Sequence, residues 1–375
     1  MTPRGDHKCT TTEGPAIPVA EAGAAAEPRL NIQLESVDEV TITTLVDNVT
    51  DLLAVDTGPA RRPFIGDAVR GPSSLFEDGW TYQGLIAEHG FSALVTITIG
   101  GARHQILFDA GLSPDALVTN MRRLGVDPGS VEAVVLSHGH SDHTTGLDGF
   151  IRAVGRSSLP VIIHPEFWNR RRLVIPGRDP VELPTTSRRA LEDAGFTIAE
   201  DRQPSFLFGG SVLITGEVDR TSGFEPGLPP QQALRGGRWE PDPLVLDDQA
   251  LILNVRGKGL VVLTGCGHAG IVNITRYARR LTGIGQVYAV MGGFRLSGPL
   301  FEPLIPQVCA ELDQLSPAVI VPAHCTGWAP SGLSPSASPP RSSPTPWGPG
   351  SSSNAPARTG ARASRMLRRK TESSR

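Results

Sequence analysis

The sequence predicts a mixed α/β domain in which two β-sheets pack face to face and helices cover their outer sides. Three observations point that way. Short apolar runs of strand length recur from about residue 39 to about residue 324. Amphipathic segments of helical period are interspersed among them. Strand signals stand at both ends of this region, so neither end reads as a separate helical unit.

The elements follow in order. Residues 1–36 are rich in Thr, Ala, Glu, Gly and Pro and are expected to form a disordered N-terminal tail. They lack the apolar core of a signal peptide. EVTITTLVDN, from Glu39, alternates β-branched residues as a strand does. ALVTITIG (93–100) and QILFDAG (105–111) read as a hairpin turning at Gly100–Gly101. SPDALVTNMRRLGVD (113–127) reads as a helix capped by Ser113, with Pro114 in its first turn and Gly125 beyond its end. VEAVVLS (131–137) is a short buried strand. PVIIH (160–164), SVLITG (211–216), QALILNV (249–255), GLVVLTG (259–265), QVYAVMG (286–292) and AVIVPAH (318–324) extend the strand list. IVNITRYARRLTG (271–283) and PLIPQVCAELDQL (303–315) are the clearest later helices. Residues 219–246 show little periodicity and read as a long loop, of the kind that often serves as a lid. After Trp328 the chain turns to Pro, Ser, Gly and Arg with almost no aliphatic residue. Residues 329–375 therefore read as a disordered tail or as the product of a shifted reading frame. The folded domain is expected over 37–328.

Composition excludes several classes. Lys+Arg 35 against Asp+Glu 38 gives a net charge of −3, so no global basic field attracts nucleic acid. No apolar run reaches the ~20 residues of a membrane span. Cys9, Cys266, Cys309 and Cys325 are too scattered for a disulfide scaffold, and a cytoplasmic setting is expected.

The chemistry concentrates in SHGHSDHTTGLDG (137–149), directly after a strand. His138, His140, Asp142 and His143 are imidazole and carboxylate donors suited to Zn²⁺, with Mn²⁺ or Fe as alternatives. Neighbouring Asp142 and His143 cannot easily face the same point as His138 and His140, so the loop can serve two ions. Packing four such groups together costs too much desolvation to serve structure alone.

This HxHxDH pattern resembles the metallo-β-lactamase superfamily, over roughly residues 39–328. The resemblance implies a four-layer αββα sandwich with a dinuclear metal site at one edge of the sheets. It also implies later ligands at His268, in TGCGHAG, and at His324, in PAHCTGW. Cys266 is an alternative ligand or a packing residue. Asp109, in FDAG, is implied to orient the metal loop. EHGFSALV, SHGHSDHTTGL, TGCGHAGIVN, GGF-L and PAHCTGW together look like the branch of dihydropterin–ribofuranosylaminobenzene 5'-phosphate synthase from methanopterin biosynthesis. There GGF usually continues with His, whereas this chain has Arg295, which can hold a phosphate or carboxylate. Asn48 and His89 are implied to touch the substrate or the ligands. His164 reads as a strand-end residue, with lining of the cleft as the alternative; Asp247 and Asp248 read as turn residues, with support of the site as the alternative; Arg170, Arg171 and Arg172 read as a solvated basic face, with phosphate attraction as the alternative; His7 and His104 read as incidental.

The expected activity is hydrolysis of a small anionic ester, lactone or phosphoester by water activated on two Zn²⁺. Asp142 and His324 are the expected catalytic residues. A dihydropterin–aryl amine transferase and a metal-binding but impaired protein are the alternatives. The expected partner is a small-molecule anion, with neither nucleic acid nor membrane; oligomeric state is left open.

Overall fold

The computed structural model describes residues 32–155, 158–327 and the dipeptide 351–352. The readings for 1–31, for His7 and for most of the segment after Gly327 lie outside these residues.

The architecture follows from strands whose two faces are both apolar. The first sheet runs in the order Thr197–Glu200, Pro160–Ile163, Ala133–Val135, Ala102–Phe108, Ser92–Ile99, Glu39–Val46, with Ser351–Ser352 against Thr41–Ile42. The second runs Ser205–Leu207, Val212–Ile214, Leu251–Val255, Gly259–Thr264, Val287–Gly293, Val319–Ala323. Side chains alternate across each strand. Ile106, Phe108, Ala133 and Val135 of the first sheet meet Leu251, Leu253, Val261 and Leu263 of the second in one central core. Their neighbours face outward. Leu107, Val134 and Val161 pack under helices α1 (Ala116–Arg123), α2 (Leu147–Val154) and α3 (Arg188–Asp193). Ile252, Val262 and Val290 pack under α4 (Ile271–Thr282) and α5 (Ile305–Leu315). This is the expected four-layer αββα sandwich.

The hairpin turns where expected, with Gly100 and Gly101 both at positive φ (56° and 87°), the geometry that matches strand twist. α4 ends at Gly283 in the left-handed conformation, its N–H bonded to the Arg279 carbonyl. α1 begins at Ala116, later than expected. Ser113 stands too far upstream to cap it, and the carboxylate of Asp115, the residue before the helix, is taken by Arg152 rather than by a helix N–H. The packed chain already includes Leu34 (7% exposed), and Ser36–Val37 pairs with Asn254–Val255.

The main departure lies in 219–246. Gln231–Arg235 and Arg238–Pro241 form a hairpin through Gly236–Gly237, which joins Arg171–Leu173 and Val181–Glu182 in a separate four-stranded sheet. Its residues are mostly Gln, Arg, Trp and Glu, so it lacks the apolar run by which strands are recognised. Among the described residues no helix is long and apolar enough to cross a membrane.

Candidate metal centre

Strands Ala102–Phe108, Ala133–Val135 and Pro160–Ile163 are parallel, as are Gly259–Thr264, Val287–Gly293 and Val319–Ala323. The C-terminal ends of each set therefore share an edge, where chain reversal leaves side chains free to converge. Asp47 and Asn48, Asp109, the 137–143 loop, Cys266 to His268, Arg295 and His324 all follow directly on such ends.

Asp109 organises the first loop from a left-handed backbone position (φ 57°). It accepts from the Ser137 N–H at 2.7 Å, the Ser137 hydroxyl at 2.7 Å and His143 Nδ1 at 2.7 Å. Gly265 faces this group closely: a Cβ there would lie 2.1 Å from Ser137 Oγ.

The hydrogen-bond chain then dictates the imidazole tautomers. The Ser137 hydroxyl spends its proton on Asp109, so it accepts from His138 Nδ1 at 2.9 Å, which leaves Nε2 of His138 as a lone pair. His140 Nε2 donates to Gln231 Oε1 at 2.6 Å, which leaves its Nδ1 as a lone pair. These two lone pairs face each other at 2.9 Å. Two acceptors at that distance repel unless a cation or proton lies between them. His268 stands beside both, its ring 4.7 Å from that of His138 and 5.0 Å from that of His140. It is 1% exposed, and neither ring nitrogen has a hydrogen-bond partner among the described residues. Buried polar atoms of this kind are expensive to leave unsatisfied.

His143 Nε2 faces Cys266 Sγ at 3.2 Å, and Asp142 Oδ2 lies 3.7 Å from that nitrogen and 3.3 Å from His324 Nε2. Two donor sets result: His138, Cys266 and His268, and Asp142, His143, Cys266 and His324, each with its donor atoms within 4.8 Å of one another; His140 adjoins the first set, its Nδ1 2.9 Å from His138 Nε2. Cys266 belongs to both. Nitrogen, sulfur and carboxylate donors in two adjoining groups fit zinc-like cations; burial pushes the Cys266 thiol well above its ordinary pKa, so a cation would have to displace its proton to take the sulfur.

Electrostatics supports this. Burial pushes His138 and His268 well below the ordinary imidazole range and His140 to about 4, so all three are neutral and can ligate. His143 behaves oppositely: burial lowers it, but Asp142 and Asp109 outweigh that and hold it at about 9. A cation in its set would displace that proton. Burial opposes ionisation of Asp142, yet His143, His324 and His140 together keep its carboxyl well below the usual range.

His324 adopts φ 46°, and its N–H donates to Asp47 Oδ1 at 3.0 Å while its Nδ1 contacts Asn48 Oδ1 at 3.0 Å. His89 sits at the mouth, 3.6 Å from Asp142 and 3.4 Å from the Asn48 amide. Arg295, also at positive φ (53°), is half-buried with its guanidinium 5.1 Å from the Phe301 ring, and its Nε has no partner among the described residues. The structure thus gathers His138, His140, Asp142, His143, His268, His324, Asp109, Asn48, His89, Arg295 and Cys266 at one edge.

Other expectations need correction. Arg171 is not part of a solvated face: it is 2% exposed and pairs with Asp247 and Asp242, because the polar hairpin covers it. Asp247 does more than form a turn, since it accepts from the Gly139 N–H at 2.8 Å. Asp248 accepts from the Ala269 N–H beside His268 at 2.8 Å, and burial pushes its carboxyl up to about 7. His164 is the strand-end residue expected, capping the turn Pro165–Trp168 by accepting from the Glu166 N–H at 3.1 Å. Gln231 and Asp47 join the site only through the fold, by their contacts with His140 and His324. Asp47 stood in the LVDN run beside Asn48; Gln231 carried no local signal.

Residues 87–281 match the family model of the metallo-beta-lactamase superfamily. The 7,8-dihydropterin-6-methyl-4-(β-D-ribofuranosyl)-aminobenzene-5'-phosphate synthase of Methanocaldococcus jannaschii is 30% identical over 250 residues, 64% of this chain and 82% of that protein. An uncharacterised protein of the same organism is 29% identical over 255 residues, 68% of this chain and 90% of that one. Among solved structures, Tm1679, described as a metal-dependent hydrolase of the β-lactamase superfamily, superposes with a TM-score of 0.56. At 23% identity over 78% of this chain and 90% of that one, it demonstrates a common fold. Sandwich, converging histidines and matched segment agree, and the chain belongs to the metallo-β-lactamase superfamily.

Proposed function

We propose that this protein is a metal-dependent hydrolase of a small anionic ester, lactone or phosphoester, with its two donor sets holding two Zn²⁺. The observation that carries this reading is the ring of His268, buried beside two facing lone pairs with neither nitrogen satisfied. Zinc bound there supplies Lewis-acid polarisation of the electrophile and acidifies the attacking water. The chain's own residues do the rest. Asp142, kept ionised by the flanking imidazoles, orients the water and accepts its proton. His89, 3.6 Å away at the mouth, relays that proton toward the leaving group. Arg295 presents its guanidinium to the substrate anion. His324, held by Asp47 and Asn48, fixes the far side of the cleft.

Elemental analysis of purified protein tests the centre: about two transition-metal ions per chain are expected, and His140→Ala is expected to lose most of them. Zinc-loaded protein is expected to cleave aryl phosphodiesters or lactones; full metal retention in the variant would sink the assignment. A second reading is transfer of a dihydropterin group to an aryl amine, favoured by the 30% identity to the archaeal synthase. Coupling of a dihydropterin diphosphate with an aryl amine by the zinc-loaded protein, without ester cleavage, would decide for it.

A further inference from the structure

Gln231 is the first residue of its strand and is fully buried, although it comes from the accessory sheet rather than from the sandwich. Its amide cannot flip freely. Nε2 donates to Asp242 Oδ2 at 3.0 Å and is 3.3 Å from the Asp242 carbonyl, both of which only accept. Its carbonyl oxygen must therefore face His140 Nε2, which must carry the proton. Asp242 is itself anchored. Arg171 Nε reaches its Oδ2 at 3.3 Å and Arg235 Nη2 its Oδ1 at 2.9 Å. Arg171 continues to Asp247 at 3.1 Å, and Asp247 returns to the metal loop at the Gly139 N–H. The path closes on itself: His140, Gln231, Asp242, Arg171, Asp247, Gly139. Two neighbouring residues of the metal loop are thus gripped from outside the sandwich.

We propose that Gln231 is a positioning residue that locks His140 in the Nε2–H form, so that Nδ1 is the atom offered to a cation. The accessory sheet is then the outer brace of the metal loop. Removing the Gln231 carbonyl frees His140 to protonate on Nδ1, which turns the ligating atom into a donor. This rests on the metal-centre reading above, but its first test needs neither metal nor substrate.

Long-range ¹H–¹⁵N correlation spectra of metal-free protein labelled at histidine report the tautomer of each ring. His140 is expected to carry a proton on Nε2; a His140 ring protonated on Nδ1 with a bare Nε2 would overturn the proposal. Gln231→Met keeps length and volume while deleting both polar ends. It is expected to mix the His140 tautomers and to weaken Zn²⁺ binding, by competition against a chromophoric chelator, by about 10–100-fold. Gln231→Glu, with a proton on the oxygen that faces Asp242, retains an acceptor against His140 Nε2 and is expected to keep the tautomer. Wild-type zinc affinity in Gln231→Met would overturn the proposal. Should Gln231→Met fail to fold, the wild-type spectrum and Gln231→Glu still decide it. A protein that binds zinc with a locked His140 yet cleaves nothing would sink only the hydrolase reading.

Discussion

Asp109 and Gly265 illustrate how single residues set the metal loop. Three donors converge on one carboxylate, and the space opposite is kept open because residue 265 has no side chain. Gly265→Ala would press a methyl group onto Ser137 Oγ and to 2.6 Å from Asp109 Oδ2. The expected loss is about 1–3 kcal/mol of stability, read by urea denaturation, together with reduced zinc content. A variant as stable as wild type with full zinc content would show that the loop can move aside. At this scale the sequence was informative where donors are adjacent in the chain, as from His138 to His143. It was silent where a contact spans distance: Gln231 meets His140 across 91 positions, and Asp47 meets His324 across 277. No local pattern marks such residues, because only the assembled fold brings them together.

Among elements, strands with apolar faces on both sides were legible, since burial on both faces writes itself as a continuous apolar run. The accessory sheet was not, because its stability comes from ion pairs rather than apolar alternation. Glu166, in the turn Pro165–Trp168, is bonded to Arg235 of that sheet and to Arg202 and Asn169. Burial raises its pKa, but these partners outweigh it and bring the carboxyl down to about 2. A folded-state pKa below the ordinary 4.5 stabilises the protein above that value, and the stabilisation disappears as pH falls toward 2. Glu166→Gln is therefore expected to be less stable than wild type near neutrality, with the gap narrowing as pH drops below about 4.5. Chemical denaturation of both proteins along a pH series measures this; a gap that stays constant would refute it. Helix starts were legible only roughly: Ser113 has the chemistry of a cap, but the helix starts at Ala116, with Asp115 in the capping position.

Across the whole molecule, the core between the sheets holds the two halves in register. Leu263 lies in its middle, fully buried, at the end of the strand that leads into Cys266 and His268. Leu263→Ala is expected to cost about 2–5 kcal/mol, measured as a lower denaturation midpoint with unchanged secondary structure; a loss below about 1 kcal/mol would mean that the cavity collapses. The fold was legible because this core is built from strands that announce themselves.

The shared thiol of Cys266 carries a last consequence. One donor set takes His138 from the amino-terminal half, the other takes Asp142 and His143 from that half, and both close on the carboxy-terminal half through Cys266. Neither half can assemble a complete set alone. An ion that takes either set would therefore be captured late in maturation, a rivet driven only after the two leaves have met, and a chain stalled before that moment would have nothing for the ion to hold.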